Sequence, residues 1–306
     1  MAQTALILGA SGRFGRTAAH AFSAAGWQVR GFDRNSDTLA TAAAGADLIV
    51  NAWNPAYPDW ATDVPALTRS VIAAARRSGA TVLIPGNVYV YGAATPPPWS
   101  AHSPHAATNP LGRIRIEMET AYRDAGVRTI VLRAGDFIDT RASGNWFDMV
   151  MVKKLAKGLF TYPGPDKCPH AWAFLPDMAR AAVSLAQQRA QLPVFADIPF
   201  AGYTLTGQQI AQTLAEVMSK PVRLKRMSWL PVRLASPVWP MGRALCEMRY
   251  LWDTAHRLDP APLQELLPDF VQTPVEDAFD QALQGLGLIA RSTQTSRWRL
   301  AETAAS

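Results

Sequence analysis

The sequence predicts an α/β protein with a doubly wound parallel sheet and a smaller, mostly helical C-terminal lobe. Three observations support this fold class. A short apolar run over residues 4–8 leads into glycines at positions 9, 12 and 15. Apolar runs of strand length then alternate with segments of helical periodicity as far as about residue 143, as in successive βαβ units. Beyond residue 144 this alternation weakens, and tryptophan, methionine and proline become frequent.

The three glycines predict a tight turn between the first strand and a helix rich in small residues. Gly9 permits the turn, Gly12 lets the main chain approach a phosphate, and Gly15 lets the helix pack closely on the strand. A helix N-terminus offers unpaired N–H groups and the positive end of its dipole, so the turn is predicted to bind a diphosphate. The predicted contacts comprise the whole turn: Gly9, Ser11, Gly12, Arg13, Phe14 and Gly15.

A second strand is predicted over residues 27–32, and Asp33 follows it directly. A carboxylate at that position can accept hydrogen bonds from the ribose hydroxyls of a dinucleotide. Only about a dozen residues separate Asp33 from the next apolar run at 47–53. Because this gap holds one helix but no further strand, we expect a reduced sheet edge there.

The remaining elements follow from hydrophobic periodicity and from the positions of glycine and proline. Helices are predicted at residues 36–44, 59–78, 110–125, 145–157, 176–189 and 206–218. Strands are predicted at residues 47–53, 80–85, 127–133, 160–162 and 194–198. We expect a dinucleotide-binding domain at 1–143, a substrate-side lobe at 144–290 that returns some strands to the main sheet, and a disordered tail at 291–306.

The composition is ordinary for a compact cytoplasmic protein. The chain has 306 residues, of which 49% are hydrophobic and 18% are charged. No apolar run approaches the ~20 residues needed to cross a bilayer, and the first strand is too short for a secretory signal. Cys168, Cys246 and the five histidines lack the spacing of a disulfide framework or a metal site. We therefore expect a cytoplasmic protein with no metal and no integral membrane segment.

Positive charge is concentrated in residues 219–257, which we call the basic segment. It holds eight basic and two acidic side chains, so its net charge equals the +6 of the whole chain. Such a field suits an anionic ligand, an acidic partner or a lipid headgroup surface, and equally a solvated basic face. Its tryptophans and methionines either pack on the main domain or form a lid or homodimer contact over an apolar pocket. A membrane-surface role ranks third, because prolines at 231, 237 and 240 exclude one long amphipathic helix.

Four segments resemble the extended branch of the short-chain dehydrogenase/reductase superfamily, which contains nucleotide-sugar epimerases and dehydratases. Residues 6–15 resemble its GxxGxxG turn, and residues 86–92 resemble its Ser-Ser-x-x-Val-Tyr-Gly segment. Residues 131–137 are similar to the strand and loop under the nicotinamide, and residues 170–180 to the segment beside the substrate. The resemblance covers most of the chain and implies a Rossmann sheet that binds NAD or NADP beneath a substrate lobe.

The resemblance also implies cofactor contacts beyond the glycine turn. Asp33 would favour NAD because a carboxylate repels the 2′-phosphate of NADP, whereas Arg34 or Arg13 could pair with that phosphate. NAD is therefore expected ahead of NADP. Further cofactor contacts are expected at Asn51, Ala52, Trp53, Asn87, Arg115 and Gly135.

The chain departs from the superfamily at its Tyr-x-x-x-Lys pair, in which the tyrosine transfers a proton and the lysine lowers the pKa of that tyrosine. The corresponding positions hold Leu111 and Arg115, and a leucine cannot transfer a proton. Tyr89 is a replacement donor, because in a continuing strand it shares a face with Asn87, where the superfamily has its helper Ser or Thr. His170 is another acid–base candidate, with pairing to the backbone as its structural alternative.

The candidate residues therefore form two groups. The expected catalytic residues are Tyr89, Asn87 and His170, and the expected substrate-side residues are Tyr91, Asp136 and Trp172. For Tyr89 and Tyr91 the competing interpretation is a role in packing.

Two functions remain open from the sequence. One is an NAD(P)-dependent oxidoreductase or epimerase/dehydratase-type enzyme that acts on a small substrate, anionic if the basic segment contacts it. The other is a non-catalytic NAD(P)-binding redox sensor similar to the NmrA-like proteins, which the missing Tyr-x-x-x-Lys pair favours. The basic residues do not form a recognised nucleic-acid-reading element, so no nucleic-acid partner is expected.

Overall fold

The computed structural model describes residues 2–35 and 37–290, so the predicted tail at 291–306 lies outside the described residues. Eleven strands are present in the described part of the chain. They are β1 Thr4–Leu8, β2 Gln28–Gly31, β3 Leu48–Asn51, β4 Thr81–Asn87, β5 Thr129–Ala134, β6 Asp136–Ile138, β7 Leu159–Tyr162, β8 His170–Phe174, β9 Phe195–Pro199, β10 Tyr203–Leu205 and β11 Arg223–Arg226.

Eleven α-helices accompany these strands within the same described residues. They are α1 Arg13–Ala24, α2 Leu39–Ala42, α3 Trp60–Ser78, α4 Pro110–Asp124, α5 Leu175–Gln187, α6 Gly207–Met218, α7 Leu230–Ala235, α8 Pro240–Met248, α9 Tyr250–Asp253, α10 Ala261–Leu266 and α11 Val275–Gly285. Short 3₁₀ helices span Tyr57–Asp59, Val88–Val90 and Leu155–Lys157, and a π-helix spans Phe147–Met151.

The main sheet has six parallel strands in the order β2-β1-β3-β4-β5-β9. This confirms the predicted doubly wound α/β class. The chain moves from β1 to β2 on one side and then returns to β3 on the other side of β1, which creates a switch point between β1 and β3. In such sheets, ligands bind beyond the carboxyl ends of the strands at the switch point. The sheet ends at β2, and the described part of the segment between β2 and β3 adds only the short α2, as the sequence predicts.

Both faces of this sheet are covered, which explains why its central strands are apolar on both sides. Side chains of β1 alternate between two cores, with Ala5 and Ile7 facing α1 and α5, and Leu6 and Leu8 facing α3 and α4. Because the strands are parallel, the carboxyl ends of β1, β3, β4 and β5 lie at the same edge of the sheet.

Residues after β5 build a third core around two small sheets, ordered β10-β8-β6 and β11-β7. Trp229 and Trp252 of the basic segment are buried in this core. These two side chains therefore have a packing role, but in the third core and not on the main domain. β9 and α5 join the main sheet and its helix layer.

Two predicted elements are wrong in ways that bear on the site. The predicted helix at 145–157 is a π-helix followed by a 3₁₀ helix, because the Asp148 carboxylate accepts hydrogen bonds from the N–H groups of Ser143 and Gly144 and fixes this segment locally. The predicted continuation of β4 beyond Asn87 is a 3₁₀ helix, because the Asn87 side chain accepts the Tyr89 N–H at 3.1 Å and ends the strand. The shared-face argument for Tyr89 is therefore incorrect.

Candidate active site

The glycine turn has the geometry that the sequence predicts. Gly9 has φ +73°, which favours glycine, and a Cβ on Gly15 would lie 2.1 Å from the Gly9 carbonyl oxygen. The Gly12 N–H donates to that same oxygen at 2.9 Å, which closes the turn. The N–H groups of Arg13, Phe14 and Gly15 belong to the first turn of α1, where no helical carbonyl can accept them. These three amides fit a diphosphate, and Ser11 completes the loop before them.

Residues after β3 surround the turn from the other side of the switch point. A Cβ on Gly9 would meet the Ala52 carbonyl oxygen at 3.0 Å and the Trp53 ring at 3.3 Å. The Asn51 side chain donates to the Tyr122 hydroxyl at 3.1 Å, while its own oxygen is buried without a partner among the described residues. A buried acceptor without a donor is costly, and a ligand hydroxyl or amide would satisfy it. This observation fits a dinucleotide at the switch point.

Two of the three residues expected to decide between NAD and NADP, Asp33 and Arg34, lie just after β2. Asp33 is exposed, and its carboxylate accepts the Asn35 N–H at 2.9 Å, while Arg34 is exposed beside it. Arg13 is placed differently: its Nε donates to the Ser143 carbonyl at 2.8 Å, and a terminal nitrogen donates to the Gly144 carbonyl. The expectation that Arg13 could pair with a 2′-phosphate is therefore not supported, because its guanidinium is held by the segment after β6.

A cleft opens beyond the carboxyl ends of β4 and β5, at the place where the resemblance puts the nicotinamide. The cleft is narrow and opens to solvent. Three polar side chains and five apolar ones line it: Tyr57, Tyr89, Asp136, Trp146, Leu245, Met248, Leu251 and Trp252. The last four belong to α8 and α9 of the basic segment, so the interpretation of this segment as a lid over an apolar pocket is also supported.

Two tyrosine hydroxyls meet in this cleft. Tyr57 Oη and Tyr89 Oη lie 2.6 Å apart, and the Trp60 ring packs against both tyrosines. Burial raises the pKa of both phenols, that of Tyr89 well above its usual value, whereas Arg115 opposes this rise at both. Both hydroxyls therefore stay protonated at neutral pH and can donate a hydrogen bond or a proton. Tyr57 was missed by the sequence analysis because it lies in a loop after β3, with no motif around it.

The Asp136 carboxylate faces the cleft, and the buried His170 ring forms a hydrogen bond with it. Asp136 Oδ2 lies 2.7 Å from His170 Nε2, and the Asp136 side chain is 28% exposed whereas that of His170 is 2% exposed. The Trp252 ring stacks on His170 at 4.3 Å and separates it from the cleft. The expectation that His170 contacts substrate is therefore wrong; it positions the Asp136 carboxylate. The expectation that Trp172 lies on the substrate side is also wrong, because its side chain is fully buried in the third core.

Tyr91 does not reach the cleft either. Its ring is fully buried and stacks on Trp99, and its hydroxyl donates to the Ser100 carbonyl at 3.1 Å. The expected substrate-side role of Tyr91 is therefore wrong, and the packing interpretation holds for it.

Asn87 and Gly135 have structural roles beside the cleft. The Asn87 side chain caps the 3₁₀ helix that carries Tyr89, so its expected direct catalytic role is replaced by a positioning one. A Cβ on Gly135 would lie 2.0 Å from the Ala171 carbonyl oxygen, so close packing of β5 and β6 against β8 already requires glycine there. Cofactor contact by either residue stays a prediction.

The positions of the missing Tyr-x-x-x-Lys pair lie on α4, as predicted. Leu111 is buried, and its N–H donates to the Glu247 carboxylate at 2.7 Å. The Arg115 guanidinium lies 4.0 Å above the Trp60 ring and donates to the Asn54 side chain at 2.6 Å. Burial lowers the pKa of Arg115, which nevertheless exerts a positive field on the tyrosine pair. A ribose contact by Arg115 stays a prediction, while its field now acts on Tyr57 and Tyr89.

A buried charge cluster lies behind the site. Among the residues described, His105, Glu119 and Asp197 have ligand atoms within 4.8 Å of one another. The Arg133 guanidinium contacts both carboxylates, at 2.7 Å from Glu119 and 2.6 Å from Asp197. A cation therefore already occupies the space between them, and it is an arginine side chain rather than a metal.

Stability is expected to fall at acidic pH because of His256. Burial first, and then the neighbouring His170, lower the pKa of His256 well below its usual value. The unfolded chain takes up a proton near pH 6.5 while the folded protein does not, so protons favour unfolding. Below about pH 6.5 the free energy of unfolding should fall by about 1.4 kcal/mol per pH unit from this residue.

Urea denaturation of the wild type and His256→Phe between pH 5 and 8 (about 1.5 units either side of the usual histidine pKa) measures this slope. The phenyl ring keeps the stacking on Trp99, and the slope below pH 6.5 should become shallower. The pKa of His105 is also lowered, by burial first, so the difference between the two proteins is the readout. Equal slopes would contradict the assignment.

The fold and the glycine turn together define a doubly wound α/β protein of the Rossmann type. No protein-family model matches the sequence, and no curated protein sequence matches it. Solved structures do. A putative epimerase from Burkholderia cenocepacia has 16% identity and a TM-score of 0.71, with 94% of this chain and 99% of that chain covered.

Two further structures were crystallised with ligands. The UDP-glucose 4-epimerase from Bifidobacterium longum, in complex with NAD+ and UDP, has 12% identity and a TM-score of 0.70, covering 92% of this chain and 98% of that chain. The UDP-glucose 4-epimerase from Brucella ovis, in complex with NAD, has 16% identity and a TM-score of 0.69, covering 93% and 97%. At these identities the likeness confirms the fold that the resemblance implies.

Proposed function

We propose that this protein is an NAD(P)-dependent oxidoreductase or epimerase-type enzyme that interconverts an alcohol and a carbonyl group. The observation that carries the proposal is the Tyr57–Tyr89 hydroxyl pair beside Asp136, in a cleft beyond the carboxyl ends of the sheet. The free amides at the start of α1 and the unpartnered Asn51 oxygen suit the diphosphate and polar groups of a dinucleotide. Two of the similar structures contain NAD, which agrees with this cofactor class.

The bound cofactor would accept or donate a hydride, and side chains of the cleft would donate or accept the proton that accompanies it. The Tyr57 or Tyr89 hydroxyl donates a hydrogen bond to the reacting oxygen and supplies its proton when a carbonyl is reduced. A phenolate at Tyr57 is stabilised by the Tyr89 hydroxyl and by the Arg115 field, whereas a phenolate at Tyr89 is stabilised by the Arg115 field alone of these two. The Asp136 carboxylate, held by His170, is placed to accept a proton from a substrate hydroxyl.

The cleft favours an uncharged substrate with apolar surface. Its walls are Trp146, Leu245, Met248, Leu251 and Trp252, and its charged lining group is the Asp136 carboxylate. An anionic group beside this carboxylate would be repelled, so the expectation of an anionic substrate is not retained. Asp33 at the end of β2 supports NAD ahead of NADP, as the sequence suggests.

Removal of either cleft hydroxyl tests the proposal. Tyr57→Phe and Tyr89→Phe should each reduce turnover by about 10²–10⁴-fold, the usual contribution of a positioned acid, with NAD affinity unchanged. Tyr91→Phe is the matched control, because the Tyr91 hydroxyl donates to the Ser100 carbonyl and does not line the cleft. Turnover is measured as cofactor reduction or oxidation with a panel of apolar alcohols and ketones.

Full turnover in both cleft variants would remove the tyrosines from the chemistry. NAD binding without turnover of any compound in the panel would instead favour the redox-sensor function. The Leu111 side chain, at the position of the usual catalytic tyrosine, is the observation that keeps this second function open.

A further inference from the structure

Exposed apolar side chains are concentrated at one place, around α7 and the turn that leads to α8. Leu230, Leu234, Val238 and Trp239 are 59%, 72%, 87% and 42% exposed. They are four of the seven large apolar side chains that the described residues expose in this way, and they fall within ten positions. We call them the 230–239 patch. A concentration of this kind on a protein surface marks a contact with another molecule or a membrane.

The fold holds the 230–239 patch outward. Trp229 is buried just before α7, and its ring N–H donates to the Pro163 carbonyl at 2.8 Å. Val232 packs on the third core, so the opposite side of α7 presents Leu230 and Leu234 to solvent. At the other end the Trp239 ring lies over the backbone of Gly242, where a Cβ would come within 2.4 Å of it. The segment that carries the patch is therefore anchored at both ends, so its apolar side chains are held at the surface without one long amphipathic helix.

Two arginines place positive charge at the patch. Arg233 lies within it and is exposed, and Arg243 donates to the Pro237 carbonyl at 3.3 Å, next to Val238. The two acidic residues of the basic segment do not offset this charge at the patch. Asp253 lies within 3.5 Å of Arg249 and 3.9 Å of Arg226, and Glu247 accepts hydrogen bonds from residues at the start of α4.

We infer that the 230–239 patch binds the surface of an anionic lipid bilayer. The four apolar side chains enter the boundary between headgroups and acyl chains, while the arginines around them pair with lipid phosphates. A second copy of the chain is a poorer partner, because a symmetric dimer through this face brings two basic segments of charge +6 together. Within the described residues no helix is both long and apolar enough to cross a bilayer.

Sedimentation of the full chain with vesicles tests this inference. The protein should bind vesicles that contain phosphatidylglycerol and phosphatidylcholine, and bind pure phosphatidylcholine at least about tenfold more weakly. The double variant Leu234→Glu/Val238→Glu should lose binding by at least about tenfold, and Arg233→Gln/Arg243→Gln should weaken it and reduce its salt dependence. Val271→Glu, at an apolar residue that is 52% exposed elsewhere, is the control and should bind like the wild type.

Three results would overturn the inference. The wild type could fail to sediment with anionic vesicles, or the Leu234→Glu/Val238→Glu variant could sediment as well as the wild type. In the third result, light scattering would show that the wild type is a dimer and the variant a monomer, and the wild type would not bind vesicles. That result would identify the patch as a contact between copies of the chain. Turnover measured on the soluble protein is independent of all three results.

Discussion

Replacement of Gly12 by tryptophan is expected to abolish the binding of both NAD and NADP. Gly12 is the N-cap of α1 with φ −74° and ψ 176°, a backbone conformation that any residue can adopt. A Cβ there would meet only the Gly9 carbonyl oxygen, at 3.1 Å, so the variant should fold after a small shift of the turn. The indole would then stand where the diphosphate must approach the N–H groups of Arg13, Phe14 and Gly15. Isothermal titration calorimetry measures the loss.

The matched control is Ser23→Trp, which places the same side chain at an exposed position near the other end of α1. It should bind both dinucleotides like the wild type. Thermal melting of both variants separates loss of binding from loss of folding, and Gly12→Ala should show an intermediate loss of affinity. Unchanged affinity in Gly12→Trp would remove the glycine turn from the account.

Replacement of Arg133 by methionine is expected to cost about 3–5 kcal/mol of stability, because it leaves two buried carboxylates without their cation. Arg133 is fully buried and forms paired hydrogen bonds with Glu119 and Asp197, and it also donates to the Asn87 carbonyl at 2.6 Å. Burial alone would lower the pKa of this guanidinium, but the two carboxylates raise it well above its usual value. Urea denaturation at neutral pH measures the change.

A triple variant separates unpaired charge from lost packing. Arg133→Met/Glu119→Gln/Asp197→Asn removes all three charges, so it should recover part of the stability that Arg133→Met loses. Arg128→Met is the matched single control, since Arg128 directly precedes the same strand and donates to the carbonyls of Arg189 and Leu192 rather than to a buried carboxylate. If Arg133→Met lowered the free energy of unfolding by less than about 1 kcal/mol, the charge cluster would contribute little to stability.

The sequence predicts the geometry of the glycine turn and of the end of β2 well, because these features are local. Gly9, Gly12, Gly15 and Asp33 lie within one βαβ unit, and tight turns and strand ends follow from neighbouring residues. The doubly wound α/β class also follows from the local alternation of strands and helices.

The reactive half of the site depends on contacts between distant segments, which periodicity does not reveal. Tyr57 and Tyr89 are separated by 32 positions, and no spacing rule links them. His170 has the expected chemistry for a proton donor, but the stacked Trp252 covers it, so burial decides its role. The π-helix after residue 146 likewise results from side-chain hydrogen bonds that compete with α-helical geometry. Tertiary packing therefore accounts for what the sequence analysis misassigned.

A crystal structure of the chain grown with NAD tests the central claim most directly. We predict diphosphate oxygens at about 3 Å from the N–H groups of Arg13, Phe14 or Gly15, with the nicotinamide directed towards Tyr89 and Asp136. Density for the dinucleotide elsewhere on the protein, or a turn whose amides contact no phosphate in the presence of saturating NAD, would contradict it.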